Sequence, residues 1–109
     1  MRAFLQGYPL RILSLADLPP LEICEETGST FLENARSKSM YYSQRWEGLT
    51  LAEDSGLEVE RLMGAPGVHS ARFSAPRATD AKNIAKVLNL LEGTDQKDRN
   101  ARFVSAMVV

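Results

Sequence analysis

The 109-residue chain has a single cysteine, Cys24, and a single histidine, His69. One cysteine excludes an internal disulfide and a cysteine-built zinc site, and it suits a reducing cytoplasm. The opening, Met1 to Gly7, is too short and too polar for a secretory leader. No apolar run approaches membrane-spanning length, so no membrane association is expected. Charge of one sign is also lacking. Thirteen basic residues stand against fourteen acidic ones, for a net charge of −1, so no global field draws the chain to nucleic acid. The sequence contains neither a GxxxxGK phosphate loop nor a GxSxG nucleophile elbow.

What remains is ordinary in bulk. Apolar content of 44% and charged content of 25% describe a folded, soluble protein with one core. A single domain over residues 1–109 is expected. Its two abrupt ends, a helix-like Phe4-Leu5 before Gly7 and an apolar final strand, suggest a part of a larger α/β domain.

Hydrophobic periodicity gives an alternating order. Leu10 to Leu15 reads as a strand, and Asp17-Leu18-Pro19-Pro20 as the turn that closes it. Thr30 with Glu33 three residues on is a capping-box pattern. The helix it opens carries Phe31, Ala35, Tyr42 and Trp46 at helical spacing and is expected to end near Gly48. A strand from Leu49 should stop at Glu53-Asp54, since strands disfavour Asp and Gly, and a short one should resume over Leu57 to Val59. Thr79 is a plausible N-cap for a second helix, with Ile84, Val87, Leu88 and Leu91 as its apolar stripe and Gly93 at its end. Ala101 to Val109 is the last strand. The sum is an α/β protein, a β-α-β-α-β unit around a mostly parallel or mixed sheet.

The chemistry concentrates in Leu51-Ala52-Glu53-Asp54-Ser55-Gly56. Carboxylates at a strand end beside a small hydroxyl and a glycine suit a hydrated divalent cation and a phosphate. Glu25-Glu26 precede the first helix, in a loop able to approach Asp54. Magnesium takes oxygen ligands, few carboxylates and usually substrate phosphates, so one carboxylate from each segment would serve. Asn34 and Lys38, four apart, share a helix face; Lys38 offers a charge to a phosphate and Asn34 hydrogen bonds. Plainer roles exist for each: acids near a helix start also serve its dipole, and Lys38 fits a solvated surface. His69 reads as a loop residue, Tyr42 and Trp46 as core, and Asp80, Lys82 and Lys86 as a solvated face. As a strand-end group, Asp54 should contribute little to packing.

The blocks Glu25-Glu26-Thr27-Gly28-Ser29-Thr30-Phe31-Leu32-Glu33-Asn34-Ala35, then Lys38, then Leu51 to Val59, closely resemble the inosine triphosphate pyrophosphatase family. Gly64 to Val68, Ser70 to Phe73, Ala78-Thr79-Asp80 with Asn83, and Ala101-Arg102-Phe103 continue the resemblance in order. It implies a cytoplasmic, homodimeric hydrolase built around a central mixed sheet. Such an enzyme converts dITP, ITP or XTP, purine nucleoside triphosphates, to the monophosphate and pyrophosphate. Water would attack the α-phosphorus with Mg²⁺ as cofactor. By position, the resemblance implies Asp54 as general base and metal contact, Glu26 as the second metal contact, and Ser55 and Lys38 on substrate phosphate or sugar. Glu53 would support the site. It also implies that the family's phosphate-gripping Thr/Ser-x-Asn-x-x-Lys turn and its base-closing segments have no counterpart here. A different class of function, a non-catalytic homologue acting as an oligomerisation or interaction module, is the alternative.

Overall fold

The computed structural model describes residues 5–109; the part of the N-terminal expectation that falls on Phe4 lies outside the described residues. Helix α1 spans Phe31–Ser43, strand β1 Ala52–Val59, helix α2 Asp80–Leu90 and strand β2 Ala101–Val108. Short 3-10 turns cover Leu15–Asp17, Glu60–Leu62, Gly67–Arg72 and Gln96–Asp98. The α/β class holds, and among the described residues the sheet consists of β1 and β2 paired antiparallel.

Helix α1 begins where the capping pattern places it. Thr30 stands in extended conformation, its hydroxyl accepts the Glu33 backbone N–H, and the Glu33 carboxylate accepts the Thr30 N–H in return. Glu33 also accepts from the Ser29 hydroxyl and N–H. These bonds favour its charged form and hold its carboxyl below the usual value. The helix is nevertheless shorter than its apolar spacing predicts. It ends at Ser43, and Trp46 is 40% exposed rather than part of the core.

The buried face of α1 runs Phe31, Asn34, Ala35, Ser39, with Lys38 half-buried between them. Two of its four buried residues are polar, while Leu32 and Met40 are exposed. Burying polar groups ahead of available apolar ones costs stability unless each is hydrogen-bonded, and such a departure from simple patterning is expected where a site is built.

Strand β1 departs most from the sequence reading. It does not stop at Glu53-Asp54 but runs unbroken through Asp54, Ser55 and Gly56 to Val59. The expected short strand over Leu57 to Val59 is its second half. Ala52, Asp54 and Gly56 pair with Val108, Ala106 and Val104. Asp54 bonds to α1, so this set forms the face turned to the helix. Glu53, Ser55 and Leu57 pair with Met107, Ser105 and Phe103 on the other face. There Ser105 Oγ donates to Glu53 Oε1 at 2.8 Å, and Phe103 and Met107 are 74% and 59% exposed.

Leu10 to Leu15 is not a strand. The segment is irregular up to the turn at Leu15–Asp17, and Leu10 and Leu15 are exposed. Apolar alternation needs a neighbouring strand to pair with, and among the described residues none stands beside it.

Helix α2 is N-capped by Thr79, which accepts the Lys82 N–H. It is tied down mainly by polar contacts. Asn83 accepts from the Ser74 N–H and hydroxyl and donates to the Ala71 carbonyl. Lys86 Nζ donates to the Phe73 carbonyl and lies 4.4 Å from that ring's centroid. Of the apolar stripe Leu91 is buried, but Ile84 and Leu88 are exposed. Gly93 follows with φ +75°, a left-handed conformation suited to ending a helix.

Candidate active site

Asp54, at the third position of β1, is 8% exposed and faces α1. One of its oxygens, Oδ2, accepts from Asn34 Nδ2 at 3.0 Å. The other, Oδ1, lies 3.7 Å from Lys38 Nζ. Lys38 also makes a close ion pair with Glu26. Asn34 accepts the Gly28 backbone N–H at 2.7 Å through Oδ1. Glu26, Asn34, Lys38 and Asp54 thus form one connected cluster between the loop before α1, the helix and the strand. These are four of the five residues nominated for the site.

Ser55 is the fifth, and the structure does not bring it to the cluster. It pairs with Ser105 on the opposite sheet face, as alternation along a strand requires. Glu53 shares that face. Asn34, nominated for a phosphate, is 1% exposed, with its amide engaged by Gly28 and Asp54. His69 is exposed on the turn Gly67–Arg72. Arg72 reaches the Glu26 carbonyl at 3.5 Å.

Sequence reasoning missed the part played by Gly28, whose N–H anchors the amide of Asn34. It also missed Ser70, whose hydroxyl accepts the Leu57 N–H at 2.9 Å and donates to the Gly67 carbonyl at 2.6 Å. The signal for Gly28 was a glycine just before a helix cap with an amide residue six positions on. Nothing local could reveal Ser70, since its partner lies thirteen residues away. A surface cavity of about 430 Å³ lies between Glu58, Glu60, Met63, Asn100 and Arg102. It includes no member of the cluster and does not compete with it as a site.

The electrostatics favour a charged lysine. Burial alone would push the Lys38 ammonium towards its neutral form. The hydrogen bond to Glu26 and the charges of Glu26, Asp54 and Glu53 outweigh that effect and raise its pKa above the ordinary 10.5. A folded-state pKa above the unfolded one contributes stability that is present below pH 10.5 and is lost as pH rises through the folded value. Lys38→Met is therefore expected to cost about 1 kcal/mol at pH 7, the lower end for a charged hydrogen bond that water partly screens. The gap to wild type should narrow as pH rises from the ordinary lysine value of 10.5 through the raised folded one. Thermal melts of both proteins across that range check this; a gap constant with pH would contradict it.

Among the described residues no three carboxylate, histidine or cysteine groups converge into a metal cage. What the cluster offers is two carboxylates with an ammonium between them. That donor set fits Mg²⁺, which binds through one or two carboxylates and completes its shell with water and substrate phosphate.

Comparison with known proteins identifies the family. The model of the Ham1 family matches residues 1–109. A dITP/XTP pyrophosphatase of Thermoanaerobacter pseudethanolicus is 44% identical over 109 residues, the match covering 100% of this chain and 55% of that protein. One of Streptococcus pyogenes is 52% identical over 104 residues, covering 94% of this chain and 31% of that protein. Among solved structures, the Ham1 protein of Staphylococcus aureus superposes with a TM-score of 0.84 at 39% identity, covering 97% of this chain and 55% of that one. A HAM1 protein from Coxiella burnetii gives 0.84 at 38% identity, covering 97% of this chain and 53% of that one. The chain spans about half the length of most of these relatives. With the family model matching its whole length, relatives 44% and 52% identical and the backbone course shared with solved members, the chain belongs to the Ham1 family.

Proposed function

We propose that this chain carries the catalytic half-site of a nucleoside triphosphate pyrophosphatase, hydrolysing dITP, ITP or XTP to the monophosphate and pyrophosphate. The observation that carries the reading is the buried Asp54 carboxylate, tied at one oxygen by Asn34 and set beside the Lys38–Glu26 pair. The names of the relatives, dITP/XTP pyrophosphatase, support the substrate class.

In this reading Asp54 orients a water molecule and takes its proton as the water oxygen bonds to the α-phosphorus. The bond from that phosphorus to the bridging oxygen breaks, and pyrophosphate leaves with the bond's electron pair. Lys38 balances negative charge on the phosphates, for which it must exchange part of its contact with Glu26. Glu26 and Asp54 would hold Mg²⁺, which when bound neutralises phosphate charge and polarises the phosphorus–oxygen bonds. The work of the protein is orientation and electrostatics. Ser55, on the far face of β1, would meet substrate only where the nucleotide extends around the strand.

The cellular setting we propose is a cytoplasmic homodimer without nucleic-acid or membrane partners. The exposed Phe103 and Met107 on the open sheet face support self-association. The same exposed face favours the second reading, an interaction module without turnover. Pyrophosphate release from ITP, XTP and GTP separates the two. The expected result is release from ITP and XTP above GTP that stops on chelation with EDTA and returns with added Mg²⁺. No release from any nucleotide, with stable self-association in sedimentation, would leave the second reading standing.

A further inference from the structure

The amide of Asn34, 1% exposed, joins two parts of the cluster by hydrogen bonds, beside the ion pairs through which Lys38 also bridges them. Its Nδ2 donates to Asp54 Oδ2 at 3.0 Å on β1, and its Oδ1 accepts the Gly28 N–H at 2.7 Å in the loop that carries Glu26. We infer that Asn34 is a positioning residue, whose single amide fixes the Asp54 carboxylate and the Glu26–Gly28 loop against one another and so sets the spacing of the two carboxylates. The inference rests on the hydrolytic reading given above for what that spacing is used for.

The geometry permits one arrangement only. Turning the amide over would set an NH₂ group against the Gly28 N–H and a carbonyl against a carboxylate, two repulsive contacts in place of two bonds. A Cβ at residue 28 would lie 2.6 Å from Asn34 Oδ1 and 2.9 Å from Glu33 Cβ, so the approach needs a glycine. With Oδ2 held by Asn34, the oxygen of Asp54 on the Lys38 side is Oδ1. A side chain this buried presents no surface to a phosphate, so Asn34 acts through Asp54 and Glu26.

Four variants test this. Asn34→Ala removes both bonds. Asn34→Asp, nearly isosteric, keeps the acceptor for Gly28 but has no donor for Asp54. Gly28→Ala displaces the amide from the other side. Ser39→Ala is the control: that residue is buried on the same helix face, with its hydroxyl on the Thr50 carbonyl at 3.2 Å, outside the cluster.

Three readouts apply to each: kcat and KM for ITP, binding of Mn²⁺ without nucleotide followed by electron paramagnetic resonance, and hydrogen exchange of the residue-28 amide. Asn34→Ala and Gly28→Ala are expected to lower kcat and Mn²⁺ affinity by about tenfold or more with KM within about twofold, the size typical of residues that orient metal ligands. Exchange protection at residue 28 should vanish in Asn34→Ala and persist in Asn34→Asp, whose kcat falls all the same. Ser39→Ala should lose stability but keep kcat and Mn²⁺ binding.

A raised KM at unchanged kcat would overturn the inference in favour of substrate contact. Loss of melting temperature alone, matching Ser39→Ala, would reduce Asn34 to a structural role. If the wild-type chain releases no pyrophosphate, the hydrolytic reading fails. Mn²⁺ binding and the residue-28 amide still decide whether Asn34 links the two carboxylates.

Discussion

Asp54→Asn is expected to lower kcat for pyrophosphate release roughly a thousandfold, within the range lost when a general base is removed. The substitution keeps the shape of the side chain. Its amide oxygen can still accept from Asn34, and Lys38 keeps its pair with Glu26. The stability loss should therefore stay near 1 kcal/mol, the size of one net hydrogen bond. Asp54→Ala is the wrong tool. The sequence alone placed this carboxylate at a strand end with little packing role, but it is 8% exposed inside the strand. Truncating it would leave the Asn34 amide without its acceptor, at a cost of about 1–3 kcal/mol. Steady-state kinetics of Asp54→Asn, with circular dichroism to verify the fold, decide the matter. A variant retaining more than a tenth of wild-type turnover would move the base elsewhere.

Gly56→Ala should be the most damaging small substitution for stability. A Cβ there would stand 2.5 Å from both the Gly67 carbonyl oxygen and Ser70 Oγ, and 3.0 Å from Phe31 Cε1. One of these neighbours is backbone, one belongs to a hydroxyl already bonded on two sides, and one is a buried ring. None is a free end that swings away. The methyl would force β1 from the turn Gly67–Arg72, from α1, or from both. Overpacking of this kind costs about 3 kcal/mol or more, a fall of at least about 12 °C for a domain of this size. Urea unfolding midpoints give the number. A loss below about 0.5 kcal/mol would show that the turn adjusts freely.

These two residues mark where the sequence was legible and where it was not. Both helix starts were readable, because a capping side chain and the backbone N–H it accepts lie within three residues of each other. β2 was readable from its valines. The course of β1 was not. Asp54 and Gly56 are poor strand residues by propensity, and what keeps them in a strand comes from elsewhere: Asn34 and Lys38 for the charge, Ser70 and Gly67 for the bare Cα. The glycine read as part of a cation and phosphate site, and the structure sets the protein's own turn close against it. Leu10 to Leu15 failed for the opposite reason, a good strand pattern with no partner beside it. The cluster itself was legible in four of its members. The spacing that set Asn34 and Lys38 on one helix face holds, but it could not show that Asn34 faces inward to Asp54.

Strand β2 supplies no side chain that hydrogen-bonds or ion-pairs with the cluster, yet it acts as the ruler against which the cluster is measured. Its small Ala106 sits opposite Asp54. Sliding β1 by one residue along that ruler would turn Glu53 or Ser55 towards Asn34 and Lys38 and send Asp54 to the open face. Glu53 is a carboxylate too, but one methylene longer, so the slipped chain would still show a carboxylate, in the wrong place. What distinguishes a working chain from that miscount is the alignment of two strands whose first and last residues lie 56 positions apart in sequence, Ala52 against Val108.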